Sequence, residues 1–256
     1  MTRKTGNGRR IKATATTFAI VETLAKLECA RLSVIADEVG IANSTASDHL
    51  ATLQDHGYVV AEQNSYRLGL RFLDTGTQAK RYYDGLLTAS EPVLSQLAED
   101  TGETVTLATN ENNMAVYIDR NVGDRGIPTN SWVGKRKPLH TLSVGKAILA
   151  QLSPEQVDNI VEERGLPAAS EHTITSRDEL NRELETIRER GIAFNDRESH
   201  DQVRAVGTAI ILDGEVHGAV SVAGPAKRFT GSYFREEIPD LLLGAVNELE
   251  LKLTYQ

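Results

Sequence analysis

The stretch from Leu32 to Tyr66 constrains this chain more than any other. Leu32, Ile35, Ala36 and Val39 repeat at helical spacing and run into Gly40-Ile41-Ala42. A second helical pattern follows, with Asn43 or Ser44 expected as its cap and Ala46, Leu50 and Leu53 sharing one face. The glycine between them can turn left-handed without steric cost, so the helices can cross steeply instead of merging. After Gly57 the period falls to two. Tyr58-Val59-Val60-Ala61 and Ser65-Tyr66-Arg67-Leu68 flank the polar tip Glu62-Gln63-Asn64, which is the pattern of a hairpin wing. A winged helix-turn-helix of this kind places the helix from Ser44 to His56 in a major groove, its first residues toward base edges. Asn43, Ser44, Thr45, Ser47 and Asp48 are then the candidate DNA contacts. Small helices with a hairpin also build structural or protein-docking modules, so the fold alone leaves that reading open.

A formal net charge of −8 runs against a nucleic-acid partner, yet the charge is unevenly spread. Residues 1–80 hold 10 Lys and Arg against 8 Asp and Glu, whereas residues 81–256 hold 18 against 28. Arg3, Lys4, Arg9, Arg10 and Lys12 form a basic arm that can follow a phosphate backbone or equally remain a solvated terminus. The acidic excess elsewhere favours solubility, including in high salt. At 256 residues the chain has room for one large or two small domains. Cys29 is the only cysteine, which excludes an internal disulfide and suits a cytoplasmic setting. No apolar run is long enough to span a bilayer and no signal peptide is evident, so no membrane partner is expected.

Beyond the wing, Leu68 to Gly85 is helix-compatible, with Leu70, Leu73, Ala79 and Tyr82 available for packing. It leads into a helix over Thr88 to Asp100 in which Pro92 is expected early, where a missing amide costs little. This gives a DNA-binding domain over 1–69, a linker helix over 70–87 and a second domain over 88–256. Strands are expected at Thr104–Thr109, Ala115–Arg120, Ile192–Asn195, Ala205–Leu212 and Val216–Ala223. Helices are expected at Ser143–Gln151, Pro154–Glu163, Arg177–Arg190 and Tyr233–Leu253. Asp213-Gly214 between two strand patterns signals a two-residue hairpin. The expected fold is α+β, a curved antiparallel sheet with helices on its faces and a pocket for a small molecule.

The chain resembles the IclR family of transcription regulators. The resemblance rests on Asn43-Ser44-Thr45, Gly57-Tyr58-Val59, Tyr66-Arg67-Leu68-Gly69, the block from Pro138 to Ala150 (PLHTLSVGKAILA), Gly191-Ile192-Ala193 leading to Asp196-Arg197-Glu198, and the run from Ala219 to Pro225 (AVSVAGP). It implies a winged helix-turn-helix, a linker helix and a GAF-like effector domain, assembled as a homodimer or homotetramer and binding double-stranded DNA. It also implies a pocket for a small organic effector of carboxylate or polyol type, at Leu139, Ser143, Val144, Asp196, Val206, Ser221 and Ala223. Helix-end amides and the Ser143 and Ser221 hydroxyls suit such a ligand. Val206 stands where the family often has cysteine and Ala223 where it often has serine, which makes the pocket more apolar. Asp48 stands where an arginine is frequent; an aspartate can accept from a cytosine amino group, cap Ser44-Thr45, or simply be solvated.

Other constellations carry less. His140, Asp196, His200 and His217 are metal-ligating residue types without ligand spacing, so neither a metal nor another cofactor is expected. Lys135-Arg136-Lys137 reads as a solvated loop or a lure for an anionic effector. Glu183, Glu185, Arg188 and Arg190 read as an exposed charged helix face. A hydrolase using Ser143, Ser221 and Asp196, serine-type or metal-dependent, remains the main alternative, with no Gly-x-Ser-x-Gly elbow to support it. No catalytic residue is assigned. A protein-docking co-regulator is the other alternative.

Overall fold

The computed structural model describes residues 11–126 and 131–255. They divide into two compact units, one ending at Tyr82 and one beginning at Tyr83.

In the first unit, α1 (Lys12–Leu27) is followed by a two-residue strand β1 (Cys29–Ala30), α2 (Leu32–Val39) and α3 (Asn43–Asp55). The wing is β2 (Val59–Glu62) and β3 (Ser65–Leu68), paired antiparallel with Val59 opposite Leu68; β1 adds to the free edge of β3. Ile20, Leu24, Ile35, Leu50, Leu53 and Val59 close one small core. Gly40 sits at φ +73°, and the Ile41 amide reaches back to the Ala36 carbonyl at 3.0 Å, which ends α2 and frees the chain to turn. One expectation is corrected. Neither Asn43 nor Ser44 caps α3: Ala42 takes the extended cap position, and no side chain bonds the first turn.

The joint also differs from expectation. Helix α4 (Arg71–Lys80) gives way to a 3-10 turn over Arg81–Tyr83, and α5 (Asp84–Thr101) starts four residues before the expected Thr88. Pro92 is therefore the ninth residue of α5, not an early one, and this helix lacks an interior amide. Leu70, Leu73 and Tyr82 do not pack inward within their unit but are 79%, 67% and 87% exposed.

The second unit is built on a six-stranded antiparallel sheet. Its strands are β4 (Thr104–Glu111), β5 (Met114–Val122), β6 (Arg136–Lys137), β7 (Ala193–Asp196), β8 (Val203–Leu212) and β9 (Glu215–Pro225), in the order β6-β5-β4-β9-β8-β7. Register shifts at Leu107/Ala108 and Ile210/Ile211 mark bulges that bend it. Asp213 and Gly214 both have positive φ, as the turn between β8 and β9 requires. Asn112 and Asn113 make the same turn between β4 and β5, a signal not singled out in the sequence.

Helices α6 (Ser143–Gln151), α7 (Pro154–Arg164), α8 (Arg177–Arg190) and α9 (Ile238–Thr254) complete the unit. The two sheet faces have different residue sizes. Val105, Leu107, Val206, Ile210, Val220 and Val222 face α5 and α9. The alternate positions are small: Ala108, Ala209 and Ala219 pack under α6, and Gly207 lies beneath its first residues. A Cβ on Gly207 would come 2.8 Å from the Ser143 carbonyl carbon and 2.9 Å from the Val144 nitrogen. The small face lets α6 lie close to the sheet at one end and leaves room for a cavity at the other.

Candidate functional site

Two sites emerge, one in each unit. In the first, Asn43, Ser44, Thr45, Ser47 and Asp48 are all exposed, while Ala46, Leu50 and Leu53 are buried beneath them. Because α3 has no side-chain cap, the amides of its first turn remain available to an external acceptor. Asp48 does not cap Ser44-Thr45. His49, at the flank, shares a 2.8 Å hydrogen bond with Thr17 and ties α3 to α1. Arg9 and Arg10, like Arg3 and Lys4, lie outside the described residues. Lys12 is not part of an arm: it is the first residue of α1, and its carbonyl accepts from Thr16. On the wing, Arg67 is held by Glu62 at 2.6 Å.

In the second unit a cavity of about 300 Å³ opens between the small-residue face of the sheet and the start of α6. Pairing of β4, β9, β8 and β7 lines up Thr104, Ala223, Ala205 and Asn195 in one row, and Thr106, Ser221 and Gly207 in the next. Ser143 and Val144 at the first turn of α6 and His200 and Gln202 from the loop before β8 supply further walls. The first turn of α6 has no side-chain cap either, since its cap residue is Leu142.

Of the seven effector positions expected from the sequence, Ser143, Val144, Ser221 and Ala223 line this cavity. The other three do not. Val206 is fully buried on the opposite face, because it pairs with Val222 and shares its parity. Asp196 is also of the wrong parity. It bonds Arg204 at 2.7 Å and Arg197 at 3.0 Å, while its neighbour Asn195 lines the cavity. Burial acts upward on the Asp196 carboxyl, but the two arginines outweigh it and bring it below the usual aspartate range. Leu139 is buried in the core behind α6, where its carbonyl oxygen would lie within 2.0 Å of a Cβ on Gly145.

Sequence reasoning missed Asn195, Lys137 and the Thr104-Thr106 pair. The alternation of β4 could have found the threonines, which share a face. Asn195 is buried and spans the site: its amide donates to the Thr141 carbonyl at 2.6 Å and its oxygen accepts from the Glu198 amide at 3.1 Å. Lys137 does not lie in a solvated loop. It belongs to the edge strand β6, opposite Ala115, and is half-buried against the cavity. Burial pushes its ammonium below the usual lysine range, and Lys135 adds to the effect. Burial also pushes the Tyr117 phenol up to about 12, so it stays protonated.

Behind the cavity, Lys146 is 1% exposed and bonds Glu198 at 2.7 Å and Glu183 at 3.3 Å. Glu183 also holds Arg190 at 3.0 Å, so it is not simply part of a solvated face; Arg188 likewise turns inward to the Ala150 carbonyl at 2.7 Å. Burial raises the Glu198 carboxyl despite Lys146, and its second oxygen has no partner among the described residues. The histidines do not gather. His140 is buried and donates from Nε2 to the Pro167 carbonyl at 3.1 Å, His200 stands at the cavity, and His217 is exposed on β9. Among the described residues no three histidine, cysteine, aspartate or glutamate side chains form a metal-sized cluster.

A sequence profile described as Bacterial transcriptional regulator IclR C-terminal matches residues 83–250, and one described as IclR helix-turn-helix domain matches residues 13–63. The chain belongs to the IclR family of transcription regulators. This IclR-family chain is 32% identical over 225 residues to the acetate operon repressor of Salmonella typhimurium, across 86% of its own length and 81% of that protein. The crystal structure of the Thermotoga maritima IclR superposes with a TM-score of 0.76 at 28% identity, covering 96% of this chain and 100% of that one. An IclR homolog from Microbacterium hydrocarbonoxydans, crystallised with 4-hydroxybenzoate, has a TM-score of 0.78 at 21% identity over 96% of this chain and 100% of that one, which speaks for the fold alone. The relatives are DNA-binding regulators rather than enzymes, as the N-terminal module leads one to expect. Among the described residues no helix is long and apolar enough to cross a membrane.

Proposed function

We propose that residues 1–69 bind an operator, that residues 70–87 relay, and that residues 88–256 bind a small polar organic effector whose occupancy sets the affinity for DNA. The observation that carries the effector role is the cavity itself. It is about 300 Å³, its Ser143 and Ser221 hydroxyls have no protein partner among the described residues, and uncapped helix amides border it. A bound ligand satisfies such groups, whereas an empty site leaves them to water. The occurrence of 4-hydroxybenzoate in a protein of the same fold supports the reading.

On the DNA side, Asn43, Ser44, Thr45 and Ser47 would meet phosphates and base edges, with Asp48 accepting from a cytosine. Helix α3 contains no lysine or arginine, so Arg9 and Arg10 would supply much of the phosphate attraction. The exposed Leu70, Leu73, Tyr82 and Phe18 support pairing of two copies through the first unit, which presents two reading helices to adjacent half-sites. A gel shift on the gene's own upstream DNA tests the proposal. Binding that weakens with Ser44→Ala and Thr45→Ala together, at unchanged thermal midpoint of the second unit, is the expected result. Undiminished retention of that DNA by the double variant would refute the assignment of α3.

A further inference from the structure

We infer that Lys137 selects the effector's charge: the cavity takes an organic carboxylate, with the anionic group seated against the Lys137 ammonium. The inference rests on the effector reading above and narrows it from any polar molecule to one chemical class.

Four observations converge. Lys137 lines the cavity and is half-buried, and it has no hydrogen bond or ion pair with any described residue. No aspartate or glutamate lines the cavity among the described residues, and the sequence carries none at positions 127–130 either. The nearest acidic groups by sequence and sheet position are already committed elsewhere, Asp196 to Arg204 and Glu198 to Lys146. The remaining polar lining is neutral and donor-rich: Ser143, Ser221, Asn195, Thr106 and the protonated Tyr117. An ammonium removed from water without a counter-ion is an unfavourable element that a structure retains only where something else completes it. A neutral polyol would leave that charge uncompensated, and a cationic ligand would repel it. A carboxylate neutralises it and can accept from the hydroxyls at the same time.

Placement on β6 makes the residue separable from the fold. The backbone of Arg136–Lys137 pairs with Ala115 and Val116 whatever side chain stands at 137. Lys137→Met should therefore fold, and without ligand it should unfold at a higher temperature than the native chain, because an uncompensated charge has gone. A lower midpoint would mean that the ammonium has a structural partner, and would overturn the proposal.

The test uses three acids, butyrate, benzoate and 4-hydroxybenzoate, each beside its primary amide, at millimolar concentration. Thermal shift and calorimetry are run on the full chain and on Lys137→Met and Lys137→Arg. At least one acid should stabilise the native chain while its amide does not. Lys137→Met should bind that acid at least about tenfold more weakly, as expected when a charge-assisted hydrogen bond is removed, and Lys137→Arg should recover part of the loss. Amides that bind as well as acids, undiminished binding to Lys137→Met, or no stabilisation by any of the acids each overturn it. A gel shift with the same acid separates this from the broader reading. Lys137-dependent binding that leaves DNA affinity unchanged refutes the effector role and keeps the carboxylate site, whereas a DNA response that persists in Lys137→Met does the reverse.

Discussion

At the scale of single residues, parity along a strand decides function. Asp196 and Asn195 are adjacent, yet one is locked to Arg204 on the α9 side and the other lines the cavity. Asp196→Ala should leave ligand affinity intact and lower stability modestly, on the order of 1 kcal/mol, since the pair is partly exposed and solvent-screened. Ser221→Ala should do the opposite, weakening ligand binding with little change in the unfolding midpoint. Paired calorimetry and thermal melts distinguish them, and ligand loss in Asp196→Ala would mean that the cavity boundary is wrong. Lys146 is a sharper case. Removing it by Lys146→Ala strands the buried Glu198 carboxylate, and breaking a buried pair of this kind costs about 3–5 kcal/mol. His140 gives a pH signature. Its folded-state pKa is lowered by burial, with Lys146 assisting and the Pro167 hydrogen bond opposing, so the unfolded chain takes up the proton first. Stability from this group is complete above the ordinary histidine value of 6.5 and is lost as pH falls below it. The difference between the native chain and His140→Gln in chemical-denaturation midpoints should shrink from neutral to mildly acidic pH; a constant difference would contradict the assignment.

At the scale of elements, the start of α6 depends on two close approaches, Gly145 over the Leu139 carbonyl and Gly207 under Ser143. Gly207→Val should displace α6, cost about 1–3 kcal/mol as overpacking does, and open the cavity wall; an unchanged melt with full ligand binding would show that the close approach is not needed. Much of this architecture is legible in the sequence. Helices over Ser143–Gln151 and Arg177–Arg190 are readable because apolar spacing and flanking residues agree, and Asp213-Gly214 announces its hairpin. The start of α5 is not, because Pro92 signals a helix beginning and tertiary packing of Val93, Leu94 and Leu97 overrides it. The cap of α3 is misplaced from sequence because Ala42 offers no capping side chain and Asn43 does, yet the backbone turns one residue earlier. Lys137 is hard to place because a cationic run resembles a solvated loop, and only the pairing of β6 with β5, separated from it by a long loop, brings it to the cavity. Val206 and Asp196 follow from family position, which carries no account of which sheet face each residue takes in this chain.

At the scale of the whole molecule, a ligand in the second unit matters only if it binds one DNA-competent arrangement better than another, and the coupling is reciprocal. Electrostatics at this scale are testable separately. Removing residues 1–10 takes away Arg3, Lys4, Arg9 and Arg10, and the slope of log affinity against log salt should fall by up to about 0.9 for each phosphate no longer neutralised; an unchanged slope would exclude the arm from the interface. Control of DNA affinity by the cavity is decided by the dissociation constant for the gene's own upstream DNA, measured with and without a saturating acid that calorimetry has shown to bind. A change of about fivefold or more is expected, absent in Ser221→Leu, whose larger side chain fills the cavity. Identical DNA affinity for the free and the ligand-saturated protein would mean that the cavity does not govern operator binding.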